Sequence, residues 1–300
     1  MKKFIVNFIL YISPLLVGTL FLFIALTVVS NYLSKNSELY QLEEKIEYLF
    51  IGDSHVSLGV NDSLIPHSKN ISSLAEPYYF TYQKLKFFLR KNQPKTIILG
   101  FSYASLSDHN DRFIFGSAST FFPDNYFFIL NSLEKAKIIF WNRGKLLELF
   151  NRIHHSLYCH INNINQQNNH LYDGYNNEFI ETEAKLRRVK ERVNDLFYDK
   201  GSLRDLSKQN INYLFQIIKL CQKSDIELIL LTTPLSKTYR NMIPTIYRAK
   251  FNKILSKSKV SHINLINDID QNDLFLYDGD HLNKKGATIN SKKILEVLSK

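Results

Sequence analysis

Three hundred residues, 45% of them hydrophobic and 13% aromatic, suffice for one large α/β domain with an appendage and exclude global disorder. Charged residues make up 22% of the chain, and the formal net charge of +10 comes from lysines scattered along it, a bias toward anionic surfaces such as a membrane or an acidic polymer. No zinc-finger spacing, Walker-type loop, heptad array or short repeat occurs, so neither nucleic acid nor nucleotide is expected as a partner.

Lys2 and Lys3 precede an uncharged run from Phe4 to Ser30. As a helix that run would rise about 40 Å, against about 30 Å for a bilayer's hydrocarbon core. It is longer than the apolar part of a cleaved leader, and Ser30-Asn31-Tyr32 makes a poor cleavage site. Residues 1–31 therefore read as a cytoplasmic tip and transmembrane signal anchor. The paired lysines stay inside, and everything beyond Asn31 faces outward, in the periplasm or at the cell surface. Residues 32–45 form a polar stalk, and 46–300 a folded domain.

Ile46 to Ile51 predicts a buried first strand that breaks at Gly52. A second strand is expected at Asn70 to Leu74, and a helix opening at Pro77, where Tyr78, Tyr82, Leu85 and Leu89 share one face. Thr96 to Leu99 predicts a third strand ending at Gly100. Ile211, Leu214, Phe215 and Ile218 stripe a later helix. Strands follow at Ile226 to Leu231 and Val260 to Leu265, and a last helix runs from about Lys284 to Leu298. This alternation predicts a mostly parallel sheet with helices on both faces. Ligands then sit beyond the strands' carboxyl ends, where Ser54, Ser102 and Thr233 fall.

Residues from about 105 to 201 break the pattern and read as an insertion forming a cap or side lobe. The insertion holds an aromatic cluster at Phe121 to Phe128, a helical part from Leu133 to His160, an Asn/Gln-rich tract at 162–169, and a charged helix from about Glu181 to Leu196. The aromatics read as packing against the sheet. His154, His155, His160 and His170 lack carboxylate or Cys partners at metal-ligand spacing, and no metal is assigned to them. Asp108-His109 reads as a loop. Cys159 and Cys221 show no pairing pattern and read as buried free thiols.

Gly52-Asp53-Ser54-His55 directly follows the first buried strand. A serine on such a turn can present its oxygen for attack, with backbone N–H groups near a developing oxyanion. By itself the stretch reads as an ordinary turn and helix cap. Asp278-Gly279-Asp280-His281-Leu282-Asn283, just before the last helix, supplies what a nucleophilic serine needs: a base, and a carboxylate to fix the base's tautomer. Asp278, three positions before His281, can reach its Nδ1 and leave Nε2 to face Ser54. Alternatively, Asp278, Asp280 or Asn283 caps the final helix.

The two blocks together resemble the SGNH (GDSL-type) serine hydrolase and acyltransferase family, whose nucleophile lies in a Gly-Asp-Ser block after the first strand and whose Asp-x-x-His block lies near the C-terminus. Gly286-Ala287 matches the tail of that second block, and His55 stands where the family's usual name has leucine. The resemblance covers about residues 46–104 and 205–300. It implies a flavodoxin-like three-layer α/β/α fold and acyl-ester chemistry with no metal or other cofactor. Ser54, Asp278 and His281 become the catalytic triad. The family's oxyanion-hole donors map onto the N–H groups of Ser54 and of Ser73 or Ala75, with Ser102 in place of an Asn in Gly100-Phe101-Ser102-Tyr103. Membrane-anchored relatives that add or remove acetyl groups on envelope polysaccharides are the nearest subgroup. The expected function is a serine-dependent esterase or O-acyltransferase on a cell-envelope or secreted polysaccharide. The degraded third block motivates a second expectation, a catalytically silent glycan-binding or assembly protein.

Overall fold

The computed structural model describes residues 2–36, 46–161, 171–176 and 183–299. Its centre is a parallel sheet whose first three strands are β1 (Tyr48–Ile51), β2 (Ser68–Asn70) and β3 (Thr96–Gly100). After a small antiparallel ribbon of β4 (Tyr198–Asp199) and β5 (Ser202–Leu203), the sheet is completed by β6 (Glu227–Thr232) and β7 (Ser261–Asn264). Its spatial order is β2-β1-β3-β6-β7, and every pairing within it is parallel. Counted along the sheet's own five strands this is the 2-1-3-4-5 order of doubly wound folds. Leu49, Phe50 and Ile51 are all fully buried, as expected for a strand covered on both faces.

Helices cover both faces. Leu49, Ile51, Ile97 and Leu99 share a core with Leu85 of α3 (Tyr78–Phe88), Leu214 of α8 (Lys208–Lys223) and Phe251 of α10 (Thr245–Ser258). Phe50, Ile98, Ile229 and Leu231 pack instead with Val56 of α2 (Ser54–Gly59) and Ile294 of α11 (Lys284–Leu298). Successive strand residues point to opposite faces, so alternation along β1 and β3 builds both cores at once. The α/β architecture with a parallel sheet is as expected.

The second strand ends earlier than its expected span. Asn70 explains this: its side-chain amide donates to the Val56 and Val60 carbonyls at 3.1 and 2.9 Å. Its side-chain oxygen accepts from the Ser72 N–H at 3.0 Å, which turns the chain out of the ladder.

Within the insertion, α4 (Pro123–Tyr126), α5 (Ser132–Trp141) and α6 (Leu146–Ile161) precede α7 (Leu186–Phe197). Most of its aromatic cluster packs as expected: Phe122, Tyr126, Phe127 and Phe128 are buried, and Phe80 of α3 meets the Phe122 and Tyr126 rings at centroid distances of 5.0 and 4.8 Å, whereas Phe121 is exposed. Cys221 is a buried free thiol. The Asn/Gln tract and the stalk beyond Asn36 lie outside the described residues.

The expected membrane span is one helix, α1 (Lys2–Asn36), along which Phe4, Phe8, Leu15, Phe21 and Leu22 are exposed. Among the described residues no helix is long and apolar enough to cross a membrane.

Leu230 is fully buried on the central β6. Leu230→Ala should destabilise the domain by about 2–5 kcal/mol, read as a lower urea midpoint with an unchanged slope.

Candidate active site

The carboxyl ends of β1 and β3 abut, and Gly52 lets the chain turn away between them. Its φ of +147° suits glycine, and a Cβ there would lie 3.1 Å from the Gly100 nitrogen. Asp53 then caps α2, accepting from the His55 N–H at 3.0 Å, so Ser54 is the first helical residue. The Ser54 N–H has no acceptor among the described residues.

His281 arrives from a tight loop ahead of α11. Gly279 takes φ +64° there, and a Cβ would meet Ser236 Oγ at 2.4 Å. The capping role falls to Asn283, whose side-chain oxygen accepts from the Gly286 N–H at 3.1 Å. Asp278 and Asp280 are thereby left for other partners.

Ser54 Oγ lies 2.8 Å from His281 Nε2, and His281 Nδ1 lies 2.7 Å from Asp278 Oδ2. Asp278 can only accept at Nδ1, so the ring's proton sits on that nitrogen and Nε2 is left to accept from the serine hydroxyl. The other Asp278 oxygen accepts from the Asp280 and His281 N–H groups at 3.0 and 3.2 Å, which fixes the carboxylate against the ring. Burial works against charge on Asp278, but His281 and its hydrogen bond hold the carboxyl below its ordinary range. The structure brings these three sequence-predicted residues into one hydrogen-bonded relay.

A second set of charges surrounds them. His55 Nε2 lies 2.9 Å from Asp280 Oδ1, and its Nδ1 lies 3.1 Å from Asp53 Oδ1. Arg192 Nε, from α7, donates to Asp280 Oδ2 at 2.9 Å. Burial would lower the His55 pKa, but Asp280 and then Asp53 outweigh it and raise it to about 10. Asp280 is held well below its ordinary range, burial being overcome by His55 and Arg192. Sequence reasoning passed over His55, Asp280 and Arg192 as site residues. The first two adjoin triad members, which was a usable signal. Arg192 gave none, being one basic residue of several on a charged helix.

The expected oxyanion donors fare differently. The Ser73 N–H is committed to the Gly52 carbonyl at 3.1 Å, so it is not the free backbone donor expected there. Ala75, at φ +58°, adopts the left-handed backbone that a glycine would favour, and its N–H has no acceptor among the described residues. Ser102 Oγ stays within its own turn, 3.0 Å from Ser105 Oγ and accepting from the Ser105 N–H at 3.2 Å. Asp173 of the insertion accepts from the Leu74 N–H at 2.6 Å and donates its own N–H to Ser72 at 3.0 Å, pinning the loop that carries Ala75.

Other candidates lie apart from the relay. His109 is buried in a short turn (Asp108–Phe113), 3.7 Å from an Asp195 oxygen, and burial pushes its pKa down to about 4. His154 and His155 sit exposed on α6. Donor atoms of His55, Asp280 and His281 lie within 4.8 Å of one another, a spacing a metal could bridge. Each is already spent on a protein partner: His55 on Asp280, His281 on Ser54, Asp280 on His55 and Arg192. We assign no ion to it.

No protein-family model matches the chain, and no curated protein matches it. Among solved structures it is similar to a protein assigned as an acylhydrolase from Bacteroides fragilis, at 8% identity and a TM-score of 0.43, over 91% of this chain and 96% of that one. It is also similar to a GDSL-like lipase from Bacteroides thetaiotaomicron, at 8% identity and a TM-score of 0.41, over 90% and 98%. Likeness at that level carries no weight for activity, which rests on the site's own geometry.

Because the folded His55 is charged up to about pH 10, its contribution to stability is complete below the ordinary histidine range of about 6.5 and is lost as pH rises through about 10. The urea midpoint should therefore fall between about pH 7 and 10, and His55→Gln should flatten that fall while lowering the midpoint at neutral pH.

Proposed function

We propose that the chain is a serine-dependent esterase or O-acyltransferase acting on acyl groups, chiefly acetyl, of a cell-envelope or secreted polysaccharide. The observation that carries this is the relay from Ser54 through His281 to Asp278, at 2.8 and 2.7 Å. It supplies a nucleophile, a base in the required tautomer and a group that stabilises the imidazolium. The SGNH resemblance of the two blocks supports the same reading.

Ser54 Oγ attacks the acyl carbonyl carbon as its proton passes to His281 Nε2. The oxyanion forms beside the N–H groups of Ser54 and Ala75, two backbone donors without an acceptor among the described residues. His281 then returns the proton to the departing sugar oxygen, the C–O bond breaks, and the acyl group stays on Ser54. Water or a sugar hydroxyl, deprotonated by His281, attacks this ester and regenerates the serine.

For a polymeric sugar acceptor, support comes from a groove of about 700 Å³ whose wall includes Lys185, Arg188, Lys285 and Tyr277, the residue just before Asp278. Tyr277 is 45% exposed, with the Arg188 guanidinium 5.5 Å from its ring centroid, a surface suited to stacking on a sugar. For tethering, support comes from the uncharged run Phe4 to Ser30, the single helix α1 and the two lysines ahead of it. We propose that α1 anchors the domain to a membrane with the catalytic part on the extracytoplasmic side.

One observation favours a binding-only protein: the Ser73 N–H and the Ser102 hydroxyl are already engaged, which thins the oxyanion hole. Losing one such donor costs about 3 kcal/mol of transition-state stabilisation, roughly a hundredfold in rate, and does not abolish chemistry. A fluorophosphonate probe separates the two. Wild-type chain should be labelled and Ser54→Ala should not, while Asp278→Asn should slow labelling by about three to four orders of magnitude. Folded wild-type protein that resists the probe would sink the enzyme reading.

A further inference from the structure

Asp280 creates a conflict that the triad does not resolve. Its carboxylate is 1% exposed, and Oδ2 lies 3.9 Å from His281 Nε2, the nitrogen that must be free to accept the Ser54 proton. A buried carboxylate beside an imidazole favours the protonated ring. Left alone, Asp280 would load a proton onto the base before the substrate arrives.

Two cations meet this carboxylate, one on each oxygen: His55 Nε2 at 2.9 Å on Oδ1 and Arg192 Nε at 2.9 Å on Oδ2. The other His55 nitrogen faces Asp53 at 3.1 Å. A ring with a carboxylate at both nitrogens must donate at both, and only the imidazolium has two N–H groups.

The charged and titratable groups facing His281 come from every side of the site. Asp278 and Asp280 lie on its own loop, Asp53 and His55 on the turn into α2, and Arg192 on α7. The phenol of Tyr239, from α9 (Lys237–Met242), lies beside Asp280 and Arg192 and is kept un-ionised by burial. Three carboxylates against two cations leave one net negative charge. One is what a transient imidazolium at His281 requires.

We propose that His55 and Arg192 are positioning residues that neutralise Asp280, so that His281 rests unprotonated and can act as the base. The proposal builds on the serine-ester reading above. It also gives the insertion a task beyond covering the sheet. Val189 and Val193 bury one side of α7, and Arg192 projects from the helix onto the triad's own loop.

The test uses the full-length chain in detergent micelles with ¹³C-labelled histidine rings, followed by NMR across pH. His55→Gln and His281→Gln assign the two signals. The His55 ring should stay charged past about pH 8, well above the ordinary histidine range. In Arg192→Met, with the Asp280 carboxylate left without its second cation, the His281 ring should hold its proton to higher pH than in wild type. Arg192→Lys should stay near wild type, and Arg192→Met with Asp280→Asn should return toward it, because cation and carboxylate leave together. Hydrolysis of a reporter acetyl ester should repeat the pattern as a shift in the acid limb of kcat/KM. A merely structural role would instead lower kcat at every pH with no shift of that limb.

A wild-type His55 ring that is neutral at about pH 8, or a His281 signal that does not move in Arg192→Met, overturns the proposal. The NMR readout needs no turnover. A chain that titrates as expected but resists the fluorophosphonate would retain the charge arrangement and lose the esterase reading.

Discussion

The contact between Ser54 and His281 joins residues 227 positions apart, and the rest of the structure can be understood as the means of holding it at 2.8 Å. Neither residue is placed by local structure alone. Ser54 depends on β1 ending level with β3, on Gly52 turning where the two strand ends abut, and on Asp53 capping α2. His281 depends on Gly279 turning tightly against Ser236 and on Asn283 taking over the cap of α11. The two blocks meet because α2 and α11 cover the same face of the sheet, sharing a core through Val56 and Ile294. A parallel sheet buried on both faces supplies the rigid frame, and these loops converge at its carboxyl edge.

Electrostatics imposes the second constraint. Collecting three carboxylates around one imidazole in a buried site would be unfavourable unless cations were placed among them. The chain meets this with His55 from the serine block and Arg192 from the insertion, both directed at Asp280. The insertion is thus tied to the site at two points. Arg192 reaches the histidine loop, and Asp173 holds the loop carrying Ala75, with Asn176 donating its N–H to the Ser57 carbonyl of α2 at 2.9 Å.

Much of this was legible in the sequence, for identifiable reasons. Strands buried on both faces leave unbroken apolar runs, so Tyr48–Ile51, Thr96–Gly100 and Glu227–Thr232 could be placed to within a residue or two. The final helix could be placed from its apolar spacing and its leading Asn283. Ser54, Asp278 and His281 were readable because their spacing matches a chemical need that few other arrangements meet. What escaped reading depends on tertiary pairing. β2 ends early because the Asn70 side chain bonds to α2, a contact that no local pattern encodes. Ser73 is no free donor because the Gly52 carbonyl, brought beside it by the fold, accepts its N–H. Arg192 reaches Asp280 only through the packing of α7, and helical periodicity marks which face is polar without saying what that face will touch. Ala75 lies between these cases: its place in the loop is readable from the sequence, but its left-handed backbone is not.

The most direct measurement of the central claim is peptide-resolved mass spectrometry of the full-length chain after brief exposure to an activated acetyl ester. One acetyl group should appear, carried on the peptide that contains Ser54, absent from Ser54→Ala and accumulating far more slowly in His281→Gln. An acetyl group that persists on that peptide in Ser54→Ala, or wild-type protein that neither takes one up nor hydrolyses the ester, would contradict it.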